Sequence, residues 1–210
     1  MMRWLSLLSR DTRASSAAEF ALVLPLLLIF LLGILDVGRL MWTWNQAEKA
    51  TQMGVRFAVA TDPVASDMAG YSFVRSGSLG QGDAIPPDAY GTMKCYDDPS
   101  SQSIDIKCDS CTPACPWGQT ADATAYTRIF DRMRLFMPTL KSKNIEILYK
   151  SSGLGYAGDP NGSDASPIVT VELSRLTFEP TLSQIFGVSI PLPSFSAALT
   201  MEDGQGAVSN

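Results

Sequence analysis

The longest stretch without a polar break runs from Phe20 to Leu35, LVLPLLLIFLL at its centre, with no charged side chain. Extended back to Ala17 and on to Gly38 it holds about 20 residues, enough for a helix to cross a ~30 Å hydrocarbon core. Pro25 removes one backbone donor inside it, a break that membrane helices tolerate when neighbours satisfy the freed carbonyl. Helical pattern continues beyond. From Leu40 to Ala60 there is no proline and only Gly54, and Ala47, Ala50, Gly54 and Ala58 recur at three- and four-residue spacing. That strip of small residues suits close approach of another helix, or packing against the chain's own globular part. Trp42 and Trp44 fall where an aromatic belt is expected, and Thr61-Asp62-Pro63 ends the helix.

Downstream the periodicity changes. Asp62–Pro116 is rich in Gly, Pro, Ser and Asp and reads as loop with short strands. Ala121–Met137 predicts a soluble helix: Tyr126, Phe130, Met133 and Met137 form one stripe with Ile129 and Phe136 beside it, Asp122 or Thr120 caps the start and Pro138 stops it. Three strands follow by alternation, in Asn144–Lys150, Ile168–Phe178 and Ser194–Glu202, with a phase shift at Arg175 that suggests a bulge. Ser151–Pro167 reads as a long, flexible hairpin loop. Its Asp159, Asn161 and Asp164 lack the spacing of an EF-hand and are better explained by turn chemistry. Glu179–Pro193 is a second irregular link carrying Ile185, Phe186, Val188 and Ile190, which suit a sheet edge or a partner. Asp203–Asn210 is a small polar tail. One helix on a short antiparallel sheet, joined to a long N-terminal helix, is an α+β architecture similar to pilins at the level of fold.

Charge orients this picture. Arg3, Arg10 and Arg13 precede the apolar run, opposed only by Asp11, so the positive-inside bias keeps the N-terminus cytoplasmic and sends the remainder across. The run is at or beyond the long end of a secretory signal, and no small-x-small site follows it promptly, which favours a retained anchor. Formal net charge is −5, which argues against a nucleic-acid partner. Histidine is absent, which removes Ser-His and Cys-His schemes and every histidine-containing metal site. No phosphate loop, nucleophile elbow or carboxylate pair is present. The expectation is a non-enzymatic chain without a cofactor.

The 4 cysteines, Cys95, Cys108, Cys111 and Cys115, lie in or at the end of the Gly/Pro-rich stretch. Their spacing allows a tetrahedral zinc site. An exported domain favours two disulfides instead. Of the three pairings possible, Cys95–Cys108 with Cys111–Cys115 closes local loops and is preferred.

The chemistry-bearing residue of the N-terminal half is Glu19, at the leading edge of the apolar run. A carboxylate within hydrocarbon costs roughly 2.5–3.5 kcal/mol on insertion scales, so it calls for a partner. The bland alternative is favourable interaction with the helix macrodipole, at most about 1 kcal/mol near the surface. The stretch Arg13-Ala14-Ser15-Ser16-Ala17-Ala18-Glu19-Phe20-Ala21-Leu22-Val23-Leu24-Pro25, followed by Gly33-Ile34-Leu35-Asp36-Val37-Gly38-Arg39, resembles the TadE-like family of pseudopilins from tight-adherence, Flp-type pilus systems. The resemblance covers about the first sixty residues. It implies cutting by an aspartic prepilin peptidase on the cytoplasmic side, leaving a glutamate fifth in the mature chain before an aromatic residue. Glu19-Phe20 matches that pair, which places the cut between Ala14 and Ser15. Alanine stands here where the family usually has glycine.

These readings divide the chain into a leader (1–14), a transmembrane pilin-like helix (15–61) and an exported domain (62–210). The expected function is a minor pilin-like structural protein for pilus assembly. It would be single-pass in the bacterial inner membrane with its C-terminal domain periplasmic, and could enter a surface pilus. Its partners would be the membrane, the prepilin peptidase and other pilin-like subunits, with Glu19 meeting a neighbour's new N-terminal ammonium. The alternative is an unprocessed, membrane-anchored binding or adhesion module.

Overall fold

The computed structural model describes residues 12–76, 79–112, 115–160, 163–181, 187–201 and 204–207, with side chains from Ser16 onward. Arg3, Arg10, Asn161, Ile185 and Phe186 lie outside the described residues, as do the side chains of Ala14 and Ser15. The chain forms two compact units, Met1–Trp42 with Thr177–Ile190 and Thr43–Leu176 with Pro191–Asn210. The architecture is α+β: a long N-terminal helix followed by an antiparallel sheet with further helices.

Helix α1 spans Thr12–Val59 and continues through Pro25. A turn at Pro87–Tyr90 is α2, and α3 is Ala123–Arg134. The strands are β1 (Thr92–Asp97), β2 (Ile106–Thr112), β3 (Ile145–Lys150), β4 (Ile168–Leu173), β5 (Thr177–Phe178), β6 (Ile190–Pro191) and β7 (Phe195–Thr200).

The larger unit is built on a five-stranded sheet of order β2-β1-β3-β4-β7, and β5 pairs with β6 separately. Every pairing in the five-stranded sheet is antiparallel. Strand pleating brings one set of side chains to one face. Met93 faces Tyr149, Tyr149 faces Val169 and Val169 faces Leu199. Met93, Tyr149 and Val169 are fully buried, whereas Leu199 on the edge strand is partly open to solvent. The core is completed by Ala47, Ala50, Val55 and Ala58 of α1 and by Tyr126, Ile129 and Met133 of α3. The small-residue strip of α1, open to two readings in sequence, is therefore covered by the chain's own domain. Helix α3 follows the expected pattern over Ala123–Arg134 but ends before Met137 and Pro138. The Asp122 carboxylate accepts from the backbone N–H of Thr124 at 2.7 Å and of Ala125 at 3.1 Å, satisfying two of the donors that a helix start leaves open.

The stretch Asp62–Pro116, expected as loop with short strands, contributes β1 and β2, so the sheet has five strands, two more than the three placed by alternation. Two expectations need correction. The run Ile168–Phe178 is not one bulged strand. β4 stops at Leu173, and Arg175 takes a left-handed conformation with φ of 57°. The Asn144 side-chain amide holds that turn by donating to the carbonyls of Ser174 and Arg175, each at 3.1 Å. The connection 151–167 is pinned rather than loose. Ala157, Asp164 and Ala165 are buried, and Gly155 bridges to Ala165. At Gly155, φ is +102° and a Cβ would lie 2.3 Å from the Asp164 carbonyl oxygen, so only glycine fits.

Candidate functional site

The residues singled out in the N-terminal half all lie on α1. The helical backbone runs through Ala14 and Ser15. Their bond lies within the first helical turn, where the opening amides have no partner inside the helix and fraying is easiest. Glu19 and Phe20 are exposed, Phe20 at 65%. So are the large apolar side chains that follow, from Leu22 through Leu31 and again at Ile34 and Leu35. Such a surface is unsuited to water and suited to lipid or to other apolar helices. The stretch is long and apolar enough to cross a membrane. The structure therefore gives the chain one N-terminal candidate anchor helix among its described residues.

The far border of the apolar run, within the Gly33–Arg39 stretch that resembles the TadE-like family, carries a further site. Asp36 is 7% exposed. Its Oδ1 accepts from the Arg39 guanidinium at 3.1 Å and from the backbone N–H of Thr181 at 2.8 Å. The same guanidinium nitrogen donates to the Thr181 hydroxyl at 2.6 Å, and the Arg39 group lies 5.5 Å from the centre of the Phe178 ring. The i, i+3 spacing of Asp36 and Arg39 puts them on one helix face. Carboxylate, guanidinium and a distant backbone amide together form a charge-assisted clamp. The signal in the sequence was an acid and a base one turn apart directly after sixteen uncharged positions, Phe20 to Leu35.

The cysteines belong to the other unit. Cys95 is joined to Cys108, and Cys111 to Cys115. The first pair crosses from β1 to β2 where the register slips: Lys94 faces Ser110 while Tyr96 faces Lys107. Cys95 therefore opposes two residues, Cys108 and Asp109, and the bulge turns Cys108 into the core beside it. Among the described residues no group of three or more His, Cys, Asp or Glu is disposed to hold a metal ion.

On the sheet face away from the core, Glu146 is buried between two cations. It pairs with Lys94, and with Arg175 at 3.2 Å. The Arg175 guanidinium also donates to the Lys143 carbonyl at 2.5 Å. A cleft of about 220 Å³ opens beside them, lined by Lys94, Tyr96, Pro99, Ser110, Glu146 and Arg175. Both cations are engaged by the one carboxylate, so the cluster reads as a brace across the sheet. Nearby, the Tyr96 hydroxyl donates to Asp109 at 3.2 Å, and that bond raises its pKa.

Residues 14–56 match the family model described as TadE-like protein. The match begins at the residue before the expected cut and ends near the end of α1. No curated protein and no solved structure matches the chain. The N-terminal segment, residues 14–56, is similar to that family.

Proposed function

We propose that the protein is a minor pilin-like subunit that serves assembly of a tight-adherence pilus. In this reading it sits in the bacterial inner membrane with a cytoplasmic N-terminus and a periplasmic domain. A prepilin peptidase cuts it between Ala14 and Ser15. The observation that carries the reading is the TadE-like match over residues 14–56, with Glu19-Phe20 placed ahead of an apolar helix whose side chains stand open.

The physical argument runs through charge. Cutting creates an ammonium at Ser15, at the positive end of a helix macrodipole, where a cation is disfavoured. The same cut removes the leader's arginines, Arg3, Arg10 and Arg13. A carboxylate from Glu19 of a neighbouring subunit relieves the new cation and is itself relieved of its desolvation cost. A paired contact of this kind also fixes the axial register between helices. The exposed apolar side chains supply the packing surface on which that register acts.

The reading is tested with Glu19→Gln, which keeps length and removes charge. Co-isolation of pilin-like partners from native membranes is expected to fall about tenfold or more, since breaking such a pair costs several kcal/mol. Unchanged co-isolation at equal expression overturns the ion-pair mechanism.

A further inference from the structure

The Asp36 clamp has a consequence for the bilayer. The helical rise from Glu19 to Asp36 is about 25 Å, close to the ~30 Å of a hydrocarbon core. If α1 spans, as proposed above, Asp36 stands at the far edge of the hydrocarbon. The Thr181 amide is 2.8 Å from its carboxylate, so residue 181 stands at that depth too. The neighbouring β5 strand carries Phe178 beneath the Arg39 guanidinium, and β5 is paired with β6, which begins at Ile190. Ile190 of β6, and Val188 two residues before it in the chain, are exposed apolar side chains, at 38% and 54%.

We propose that Asp36 and Arg39 hold Thr181 and the β5–β6 pair against the membrane surface, where Val188 and Ile190 enter the boundary between headgroups and acyl chains of the bilayer that α1 crosses. The occupant of this surface is lipid because the segment continues, by hydrogen bond, from the end of the spanning helix. The clamp also explains why a carboxylate is tolerated at that border. It is covered by its own arginine and by a backbone N–H, so no bare charge faces hydrocarbon. Apolar side chains beside a basic one form a common interfacial pattern, since an arginine stem lies along apolar surface while its head reaches polar groups.

The test uses the full chain in vesicles of mixed zwitterionic and anionic phospholipid. All four cysteines are in disulfides, so a single added thiol can be labelled selectively. A nitroxide at Val188→Cys is compared with one at Phe30→Cys and with the same nitroxide on a water-soluble peptide added to the vesicles. The readout is collision with oxygen, which concentrates in lipid, against a water-soluble nickel chelate. The expected oxygen preference is highest at Phe30, intermediate at Val188 and lowest on the peptide. Asp36→Ala and Arg39→Ala in the Val188→Cys chain are expected to shift the label towards the aqueous value. A Val188 label as aqueous as the peptide, beside a lipid-exposed Phe30 label, overturns the surface contact and leaves the spanning helix standing. Aqueous labels at both positions overturn the spanning helix as well. A Val188 label shielded from both reagents only at high protein density assigns the surface to a second copy and overturns the lipid contact. The comparison without Asp36→Ala or Arg39→Ala stands by itself, so misfolding of those variants does not rescue the proposal.

Discussion

Gly54 of α1 lies so close to Met133 of α3 that a Cβ at position 54 would come within 2.7 Å of the methionine's Cγ and Sδ. Met133 is fully buried and cannot swing into solvent. Gly54→Ala gains about 1 kcal/mol of helix propensity and incurs overpacking of about 1–3 kcal/mol. The net expectation is a loss of about 1 kcal/mol, rising above 2 kcal/mol for Gly54→Leu. Gly38→Ala, where a Cβ would meet nothing within 4 Å, should leave the domain's denaturation midpoint unchanged. Denaturant melts of the three variants check the order.

The two disulfides should contribute unequally. Cys95–Cys108 closes a separation of 13 residues and Cys111–Cys115 one of 4. In the chain-entropy picture these correspond to about 3 and about 2 kcal/mol. The Cys95 and Cys108 side chains are also core residues. The double change Cys95→Ala with Cys108→Ala is therefore expected to lower the midpoint more than Cys111→Ala with Cys115→Ala. A chelator should leave both melts unmoved. A chelator-sensitive fold, with stoichiometric zinc on four free thiols, would restore the metal reading.

Asp164 ties two distant segments together. It is buried, and its carboxylate accepts from the backbone N–H of Phe73 at 2.8 Å and of Asp159 at 3.1 Å. Asp164→Ala deletes both bonds inside the fold, at about 1–3 kcal/mol for each buried donor affected. Thermal unfolding should show a large downward shift, and hydrogen exchange at Phe73 and Asp159 should quicken. Wild-type exchange at both amides would show that the bonds carry no weight.

Alkaline pH should unfold the domain steeply. Burial pushes the Tyr90, Tyr126 and Tyr149 hydroxyls well above the usual phenol value of 10.0, aided by the charge of Asp97 at Tyr126 and by Tyr149 at Tyr90. Folded-state values above the unfolded ones mean that this stability is whole below pH 10. It drains as pH rises further, because the unfolded chain releases protons that the folded one keeps. Three such groups give a slope of up to about 4 kcal/mol per pH unit above pH 10. Absorbance of tyrosinate should therefore rise in step with loss of structure. Tyr149→Phe should flatten the limb by one proton, although it also removes the acceptor for the Val64 amide at 2.9 Å. Independent titration of all 6 tyrosines before unfolding would contradict the burial assigned to these three.

The parts of this fold legible in the sequence are those where hydrophobicity follows geometry. Tyr126, Ile129 and Met133 repeat at helical spacing because α3 buries a single face. Val169, Val171 and Leu173 alternate because β4 is a central strand. β1 and β2 escaped that logic. β2 is an edge strand with mostly open side chains, so it shows little alternation. β1 points an aspartate inward: Asp97 is fully buried, yet it accepts from the Asp105 amide at 2.9 Å and the Ser142 hydroxyl at 2.5 Å. A satisfied buried acid is indistinguishable from a loop residue until its partners are known. Arg175 misled for a related reason, since its left-handed turn depends on Asn144, far away in sequence. In the N-terminal half, Glu19 drew attention because it breaks into an apolar run. Asp36 did not, because its partner Thr181 lies 145 residues away.

The central claim is that Glu19 acts beside a newly made terminal ammonium. Intact-mass measurement and N-terminal sequencing of the protein purified from its native membrane test this most directly. The account predicts a mature chain that begins at Ser15. A chain that still carries the residues before Ser15 contradicts it.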